Sequence, residues 1–455
     1  MEHVRGYFSG ERADELRAVG ANQPRSDIAG HVTGTTQFYA DRNPRGLLHL
    51  KMVRSPHHHA RIKSVDVAGA LASPGVVRAL SQADVPANIY TILRLIQVEP
   101  NDEPVLAVDK VRFKGEPVVA IVAESEAAAR AAVAKVKIDY EELRAVFDVE
   151  EALKPGAPLV NEYHGHNYFT YEGHHCRRVR YGDVDKGFAA ADHVIEERYQ
   201  SSPIEHAPLE TTGCIVVPEA NGRLTCYSDT QALFFTLDNA ALILNVPFQK
   251  LRMIGGTVGG GFGGKVDVIV EPIAMLAAML TNRPVKYAYS REEEMQVSSP
   301  RAAERLYVKD GVMKDGRIVA RQIRLYNDAG AYSRHSPYGT TKAAAHMPGP
   351  YTIENVHVDC HCVYTNRTPS SAMRGFGLTI ADFALEVQMD KLARLVGKDP
   401  IEFRMINAYR DGDMKAHGKL TDGAALIETM QAAAALTGWP LSDWAKRQSS
   451  LKREG

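Results

Sequence analysis

The stretch MIGGTVGGGFGGKVDV, Met253 to Val268, holds seven glycines in one short segment that is closed by Lys265. Gly259, Gly261 and Gly264 satisfy G-x-G-x-x-G, the pattern of a dinucleotide-binding turn, and the Gly-Lys pair resembles the end of a nucleotide P-loop. So many glycines cost more chain entropy than tight packing alone would justify. The pattern therefore predicts a loop whose backbone N–H groups approach a large polar or anionic ligand.

Neither nucleotide pattern is complete. A P-loop places Ser or Thr after its lysine to hold magnesium, whereas here Val266 follows and offers no ligand atom. A dinucleotide fold needs a chain of βαβ units and an acidic residue about twenty positions on, and Glu292 comes late for that role. Phe262 lies in the middle of the loop and favours a planar ligand, reached by backbone and ring edge, over a triphosphate.

The composition indicates an ordinary globular protein. The chain has 455 residues, 45% hydrophobic and 24% charged, enough for roughly two to four domains. A net charge of -1 gives no field that would attract nucleic acid or an acidic membrane, so we expect neither as a partner. The N-terminal stretch MEHVRGYFSGERADEL lacks the apolar core of a signal peptide, and no apolar stretch has the length of a membrane span.

Cysteine usage points to a reducing compartment, and we expect the cytoplasm. The cysteines are odd in number, scattered and without a C-x-x-C pair, which argues against a disulfide framework. This chain alone could not hold an iron–sulfur cluster of the four-cysteine kind. The five positions are Cys176, Cys214, Cys226, Cys360 and Cys362.

Hydrophobic patterning predicts an α+β fold in three parts. Residues 1–27 are polar and form an N-terminal arm, residues 28–150 form a first mixed domain, and residues 151–455 form a second. The boundary falls in EEALKPGAPLV, which contains two prolines and a glycine. Strands are predicted at LLHLKMV, EPVVAIVAE, VKIDYEEL, HVIEERYQ, TGCIVVP, RLTCYSD, QKLRMIG and RPVKYAYS, and helices at SEAAARAAVAKV, VIVEPIAMLAAMLTN and DFALEVQMDKLARLVG.

A second glycine motif, Arg374-Gly375-Phe376-Gly377, precedes the last of these helices. Taken alone, it could equally be an arginine salt bridge beside a packed phenylalanine. Together, GGGFGGK and RGFG resemble the molybdenum hydroxylases, the xanthine dehydrogenase and aldehyde oxidase family. VTGTTQFYADRNPRGLLHLKMVRSPHHHARIKSVD, GEPVVAIVAESEAAARAAVAKVKIDYEEL and HAPLET continue the resemblance in the family's order. It covers nearly the whole chain from about residue 28.

The resemblance implies an α/β-hammerhead domain at 28–150, followed by a first molybdopterin-binding domain at 151–455. It implies that Gln231, in SDTQAL, donates a hydrogen bond to an oxo ligand of the molybdenum, and that Gln231 and Arg374 are catalytic. The pterin dithiolene would hold the metal, so no protein ligand is expected. The residues expected to line the molybdenum and its pterin are Gly260, Gly261, Phe262, Gly263, Gln231, Arg374 and Gly375.

Two groups of histidines look like metal clusters. They are His57-His58-His59, and His164, His166, His174 and His175 with Cys176. Structural zinc sites are usually rich in cysteine and have defined spacing, which these groups lack. We interpret them as surface or hydrogen-bonded core histidines, with zinc as the alternative.

The resemblance also narrows the substrate. Phe376 would stack on an aromatic ring. Purine-oxidising relatives often carry a glutamate where this chain has Val266, which argues against a xanthine-like purine. Lys342 falls where they place an arginine and could meet a substrate carboxylate, although a solvated lysine is an equal alternative. The expected substrate is an aromatic N-heterocycle resembling nicotinate. The alternatives are an aldehyde oxidoreductase and a non-catalytic cofactor-binding or chaperone protein.

One family feature is missing from the sequence. In the family's large subunits a further cofactor domain carries a Gly-Glu segment whose glutamate acts as general base, and this chain stops before that segment. We therefore expect a split subunit, similar to the medium molybdopterin subunit of nicotinate dehydrogenase, whose partner chain supplies the glutamate. The resemblance implies hydroxylation with water as oxygen source. Electrons would pass to a small 2Fe-2S subunit and an FAD subunit. The pterin could carry a cytosine dinucleotide extension.

Overall fold

The computed structural model describes Asn22, residues 24–96 and residues 101–451. Most of the arm predicted at 1–27 therefore lies outside the described residues. The predicted fold class is confirmed, because strands and helices alternate along the chain in two mixed layers.

A seven-stranded sheet contains strands from both predicted domains. Its order is β13-β12-β11-β14-β1-β7-β3, and β1 pairs parallel with β14 and antiparallel with β7. The sheet therefore continues through the boundary predicted near residue 150. Its strands are β1 (Leu48–Arg54), β3 (Val76–Leu80), β7 (Pro117–Ala123), β11 (Gly213–Pro218), β12 (Leu224–Ser228), β13 (Leu251–Gly255) and β14 (Val285–Ala288).

Two small sheets complete the first region. One has the order β6-β2-β8, and the other pairs β4 with β5. A helix over Glu126–Val133 follows β7, and its Ser125 N-cap accepts the Ala128 N–H, as the sequence predicted. The strands are β2 (Ala60–Asp66), β4 (Ile89–Tyr90), β5 (Glu103–Pro104), β6 (Lys110–Val111) and β8 (Lys137–Glu142).

A five-stranded mixed sheet forms the second layer, in the order β10-β15-β16-β17-β9. Leu306, Val308 and Val358 alternate with half-exposed residues, so one sheet face is buried against helices and the other is polar. The strands are β9 (Arg177–Tyr181), β10 (His193–Gln200), β15 (Glu304–Val312), β16 (Ile318–Gly330) and β17 (Val356–Tyr364).

Helices cover both sheets. None of those within the described ranges combines the length and apolar character needed to cross a bilayer. The α-helices are α1 (Ile28–Thr33), α2 (Ala68–Leu71), α3 (Glu126–Val133), α4 (Val149–Ala152), α5 (Val184–Ala190), α6 (Leu233–Leu244), α7 (Glu271–Thr281), α8 (Arg291–Val297), α9 (Ser336–His346), α10 (Thr379–Leu395), α11 (Pro400–Asn407), α12 (Leu426–Thr437) and α13 (Asp443–Arg447). Short 3-10 turns lie at Tyr39–Asp41, Gln82–Asp84, Ile92–Ile96, Glu162–His164 and Phe248–Lys250.

The fold also explains why the glycine motif is not a dinucleotide turn. A parallel unit, β12-α6-β13, does precede the glycines. After β13, however, the chain runs through residues 256–270 before α7 begins at Glu271. No helix N-terminus directly follows the glycines to hold a pyrophosphate, as the dinucleotide motif requires.

Candidate molybdopterin site

Two loops meet beside the edge of the seven-stranded sheet. We call residues 256–270 the glycine loop and residues 372–378 the arginine loop. The Arg374 N–H donates to the Phe262 carbonyl at 2.8 Å. A Cβ on Gly263 would lie 2.8 Å from the Ala372 carbonyl oxygen, and Gly263 has φ +101°, so only glycine allows this approach. The two motifs that carried the resemblance are thus in direct contact.

Gln231 supports the glycine loop from below. Its side-chain oxygen accepts the N–H groups of Gly263 at 3.0 Å and Lys265 at 3.3 Å. A Cβ on Gly261 would lie 2.5 Å from that oxygen, which explains a glycine there. Because the oxygen is used by the loop, the amide NH₂ remains as a donor and makes no hydrogen bond to any residue in the described part of the chain. Gln231 can therefore brace the loop and donate to a ligand at the same time.

His206 joins the two loops from the side. A Cβ on Gly264 would lie 2.8 Å from His206 Nδ1, so the imidazole fills the space under that glycine. The Nε2 atom is 2.9 Å from the Ala372 carbonyl oxygen in the arginine loop. In the sequence, the HAPLET segment is notable only for its resemblance to the family, and this contact gives its histidine a physical role.

Lys265 is an internal anchor and does not face the loop surface. Its ammonium is 2.6 Å from Asp229 Oδ2, and it donates to the Glu210 carbonyl at 2.8 Å. The lysine is 2% exposed. Burial raises the pKa of Asp229 to about 7, although the ammonium of Lys265 opposes the rise. A P-loop lysine must reach phosphate, so this geometry excludes that interpretation.

The crest of the glycine loop presents donors and an apolar ring. Phe262 has φ +53° and is 50% exposed. Within the described residues, the backbone N–H groups of Gly260, Gly261 and Phe262 make no hydrogen bond. Unpaired N–H groups that converge at glycines favour a ligand with several oxygen acceptors. The loop therefore fits a pterin-bound oxo-metal group.

The arginine loop adds a cation beside this crest. Arg374 is exposed, and its guanidinium forms no ion pair with a carboxylate of the described chain. Gly375 has φ +77°, and a Cβ there would lie 2.4 Å from Thr379 Oγ1. Below the loop, Arg301 donates to the Arg374 carbonyl and to Thr379 Oγ1, which fixes the loop on the start of α10. An unpaired guanidinium at this place suits an anionic cofactor.

An aromatic and cationic group continues the site. The Lys342 ammonium lies 4.9 Å from the centre of the Tyr338 ring and 5.7 Å from that of Phe376. The Phe376 ring packs directly on Gly339, where a Cβ would come within 2.6 Å of it. The structure thus brings together Lys342 and Phe376, the two aromatic-substrate residues expected from the sequence. Val266 is half-buried beside Lys265, and its N–H reaches the Gly263 carbonyl at 3.4 Å.

Sequence reasoning missed a buried polar network behind the loops. Asp267 accepts hydrogen bonds from Ser299 and from Ser371 at 2.8 Å, and it lies 2.8 Å from His335 Nδ1. Arg334 contacts Ser299 and forms a two-point pair with a glutamate of β5. Burial acts to raise the Asp267 pKa, but the pKa is lowered overall, because His335, Arg334 and Ser299 together outweigh burial. The sequence signal for this network is a single aspartate between two valines in KVDV, because an acidic residue between apolar neighbours needs polar partners if it is buried.

A buried carboxyl also went unnoticed beneath the arginine loop. Glu304 begins β15, and its carboxyl makes no hydrogen bond to a residue that the structure describes. Burial raises the Glu304 pKa to about 8, and nearby Arg301 opposes the rise. Glu304 and Phe376 line the same small cavity. Its signal in the sequence was weak, because Ala302 and Ala303 precede it and no apolar run marks it as buried.

The three histidines that resembled a metal cluster in the first region, residues 57–59, are packed on aromatic rings or hydrogen-bonded. The rings of His57 and His58 meet Tyr140 and Phe147 edge-on, with centroids 5.1 and 4.9 Å apart. His59 Nδ1 lies 2.7 Å from the Arg144 carbonyl oxygen. These three histidines form no metal cluster in the described chain.

Comparison with known proteins agrees with this geometry. Residues 33–144 match the aldehyde oxidase and xanthine dehydrogenase a/b hammerhead domain, and residues 166–408 match the molybdopterin cofactor-binding domain. The chain is 36% identical over 421 residues to the nicotinate dehydrogenase large molybdopterin subunit of Eubacterium barkeri, across 92% of this chain and 96% of that protein. The relative is named a large subunit, whereas the resemblance in sequence implied a medium one.

Solved structures show the same fold. The aldehyde oxidoreductase from Desulfovibrio gigas superposes with a TM-score of 0.87 at 30% identity, covering 95% of this chain and 49% of that one. Quinoline 2-oxidoreductase from Pseudomonas putida 86 gives a TM-score of 0.85 at 28% identity, covering 92% and 54%. This chain spans about half the length of those two proteins. It belongs to the xanthine dehydrogenase and aldehyde oxidase family of molybdenum hydroxylases, as a molybdopterin-binding subunit.

Proposed function

We propose that this chain holds a molybdenum–pterin cofactor between the glycine loop and the arginine loop, in a hydroxylase of aromatic N-heterocycles. One observation carries the proposal. Gln231 braces Gly263 through its oxygen and keeps its NH₂ free, beside loop N–H groups without intrachain acceptors. When bound, the group supplies a two-electron oxidation that adds oxygen from water to a carbon of the substrate.

The chain's own residues contribute positioning and electrostatics. The Gln231 NH₂ and the N–H groups of Gly260 and Gly261 offer hydrogen bonds to oxygens of the cofactor. Arg374 balances negative charge, and Phe262 shields one side of the site from water. The proposal includes a cytosine dinucleotide extension of the pterin, which the family resemblance implies.

We assign the general base to a partner chain. Three carboxylates near the loops are already held by other groups, and the carboxyl of Glu304, unpaired within the described chain, is buried beneath the arginine loop. Asp229 contacts Lys265, Asp267 contacts Ser371, and Glu210 accepts the Gly259 N–H at 2.7 Å. The proposed assembly contains a second molybdopterin subunit with the catalytic glutamate, a small 2Fe-2S subunit and an FAD subunit. The large molybdopterin subunit of nicotinate dehydrogenase, similar along almost its whole length, supports a multi-subunit arrangement.

The substrate proposal rests on Lys342. Its ammonium lies over both Phe376 and Tyr338 and forms no ion pair with a described carboxylate. A planar ring stacked on Phe376 would bring a ring carboxylate within reach of this cation. We therefore propose a nicotinate-like anionic N-heterocycle as substrate.

Replacing Lys342 with methionine is expected to raise KM for nicotinate-like carboxylates by about 10- to 100-fold, the loss of one charge-assisted hydrogen bond. KM for an uncharged ring of similar size should hardly change, and Lys342→Arg should retain most of the affinity. Steady-state kinetics of the assembled enzyme give these values.

Lys391→Met is the matched control, because Lys391 also lies over an aromatic ring, at 5.1 Å from Tyr199, but on the last turns of α10. Equal KM changes for charged and uncharged rings would remove Lys342 from substrate recognition. Turnover of benzaldehyde-like compounds without turnover of N-heterocycles would identify an aldehyde oxidoreductase instead. A cofactor-loaded chain without any catalytic partner would identify a binding or chaperone protein.

A further inference from the structure

Three side chains with metal-binding atoms converge on the polar face of the five-stranded sheet, away from both loops. The ligand atoms of His175, Cys176 and His361 all lie within 4.8 Å of one another. Strand pairing explains the convergence. β9 and β17 are antiparallel with Arg177 opposite Cys360, so the preceding Cys176 lies beside His361 on the same sheet face. Spacing along the chain groups Cys176 with nearby histidines but not with His361, which is far away in sequence.

The imidazole of His361 keeps one ring nitrogen free of hydrogen bonds to the described residues. Its Nδ1 is buried and makes no hydrogen bond. The ring is stacked between Tyr326 at 4.9 Å and His175 at 5.3 Å. A buried polar atom without a partner is costly, and a ligand that accepts its lone pair removes the cost. The stack on Tyr326 sets the ring orientation before any ligand arrives.

The side chains of Cys176 and His175 differ in exposure and therefore in how easily they can move. Cys176 is 4% exposed, and its sulfur has one weak contact, 3.5 Å from Asp359 Oδ1. Asp359 Oδ1 lies 2.6 Å from the Arg180 guanidinium. Because this carboxylate is already paired, it is a weaker candidate for a fourth ligand than the other three side chains. His175 is exposed and can rotate. Tetrahedral zinc requires sulfur–nitrogen separations of about 3.5 Å, so a rotation of His175 would close the group.

We propose that His175, Cys176 and His361 form a zinc site, with water or Asp359 as the fourth ligand. One thiolate and two imidazoles match the ligands that zinc prefers, whereas magnesium and calcium require oxygen. The site would clamp the segment before β9 onto β17. It is independent of the molybdopterin proposal, because it lies on the sheet face opposite the core that packs against α9 and α10.

Zinc binding to the purified full chain or its complex tests the proposal. After treatment with a chelator, the protein is equilibrated with Zn²⁺ by dialysis, and bound zinc is measured by elemental analysis. We expect stoichiometric zinc in the wild type. Cys176→Ser and His175→Gln should each weaken zinc binding by at least about 100-fold. Losing a residue that only hydrogen-bonds to a metal ligand typically costs about 10- to 100-fold, so a direct ligand should cost at least that much.

His174→Gln is the matched control, because His174 is exposed and next to His175 but outside the cluster. It should bind zinc like the wild type. His175→Gln keeps the test valid if Cys176→Ser folds poorly, since His175 is at the surface. Absence of stoichiometric zinc in the wild type, or equal binding by all the variants, would overturn the proposal.

Discussion

Gln231→Glu is expected to lower turnover of the assembled enzyme by about 10²- to 10³-fold without loss of the fold. A glutamate keeps an oxygen that can accept the N–H groups of Gly263 and Lys265, which are 3.0 and 3.3 Å from the glutamine oxygen. It removes the NH₂ donor that Gln231 offers to the cofactor. The loop is therefore retained while one preorganised hydrogen bond is lost. The measurement is kcat/KM together with molybdenum content, at a pH where the new carboxyl is ionised.

Gln231→Ala provides the comparison. It removes both the donor and the brace, so cofactor content should fall along with activity. Thermal stability should change little in either variant, because Gln231 is exposed. Wild-type activity in Gln231→Glu would show that the NH₂ has no catalytic role. Equal loss of molybdenum in both variants would show that the NH₂ holds the cofactor in place and that its effect on turnover is indirect.

Lys265→Met is expected to lower the free energy of unfolding by about 3–5 kcal/mol. The substitution leaves Asp229 buried without the ammonium that now lies 2.6 Å away. In the wild type, burial raises the Asp229 pKa from 3.8 to about 7. The free-energy cost of ionising Asp229 in the folded protein therefore grows as the pH rises from 3.8 to about 7 and is constant above that pH. In Lys265→Met we expect a still higher Asp229 pKa, because the ammonium that opposes the rise is gone, so the cost of ionising Asp229 continues to grow above pH 7. The stability difference should therefore be larger at pH 8.5 than at pH 6.

Adding Asp229→Asn to Lys265→Met should recover much of the loss, because an amide can still accept the Gly213 N–H at 3.1 Å without a buried charge. Lys154→Met is the surface control. Lys154 pairs with Glu151 in solvent and should contribute almost nothing. Thermal or denaturant unfolding across pH measures all four proteins. Unchanged stability in Lys265→Met combined with lost cofactor would mean that the lysine contacts the ligand.

Local features of the fold were predictable from the sequence. The alternation in LLHLKMV gave β1, and Ser125 gave the start of α3. The family resemblance placed both glycine motifs at one cofactor but did not predict that they touch, and the Arg374–Phe262 hydrogen bond joins them directly.

Other features depend on contacts between distant residues, which local periodicity does not encode. The pairing of β1 with β14 carries the sheet through the expected boundary. Two further contacts also join residues that are far apart in the sequence. They are the buried pair of Lys265 with Asp229 and the approach of Cys176 to His361. A lysine after glycines and a histidine in a strand each have several possible partners, and only the fold selects one.

Molybdenum and pterin content per chain tests the central claim most directly. The assembled, active enzyme should contain molybdenum and pterin in stoichiometric amounts with this chain. A variant with Gly263→Ala should lose both, because the added methyl would meet the Ala372 carbonyl at 2.8 Å and its φ of +101° disfavours any side chain. An active preparation without molybdenum or pterin would contradict the account.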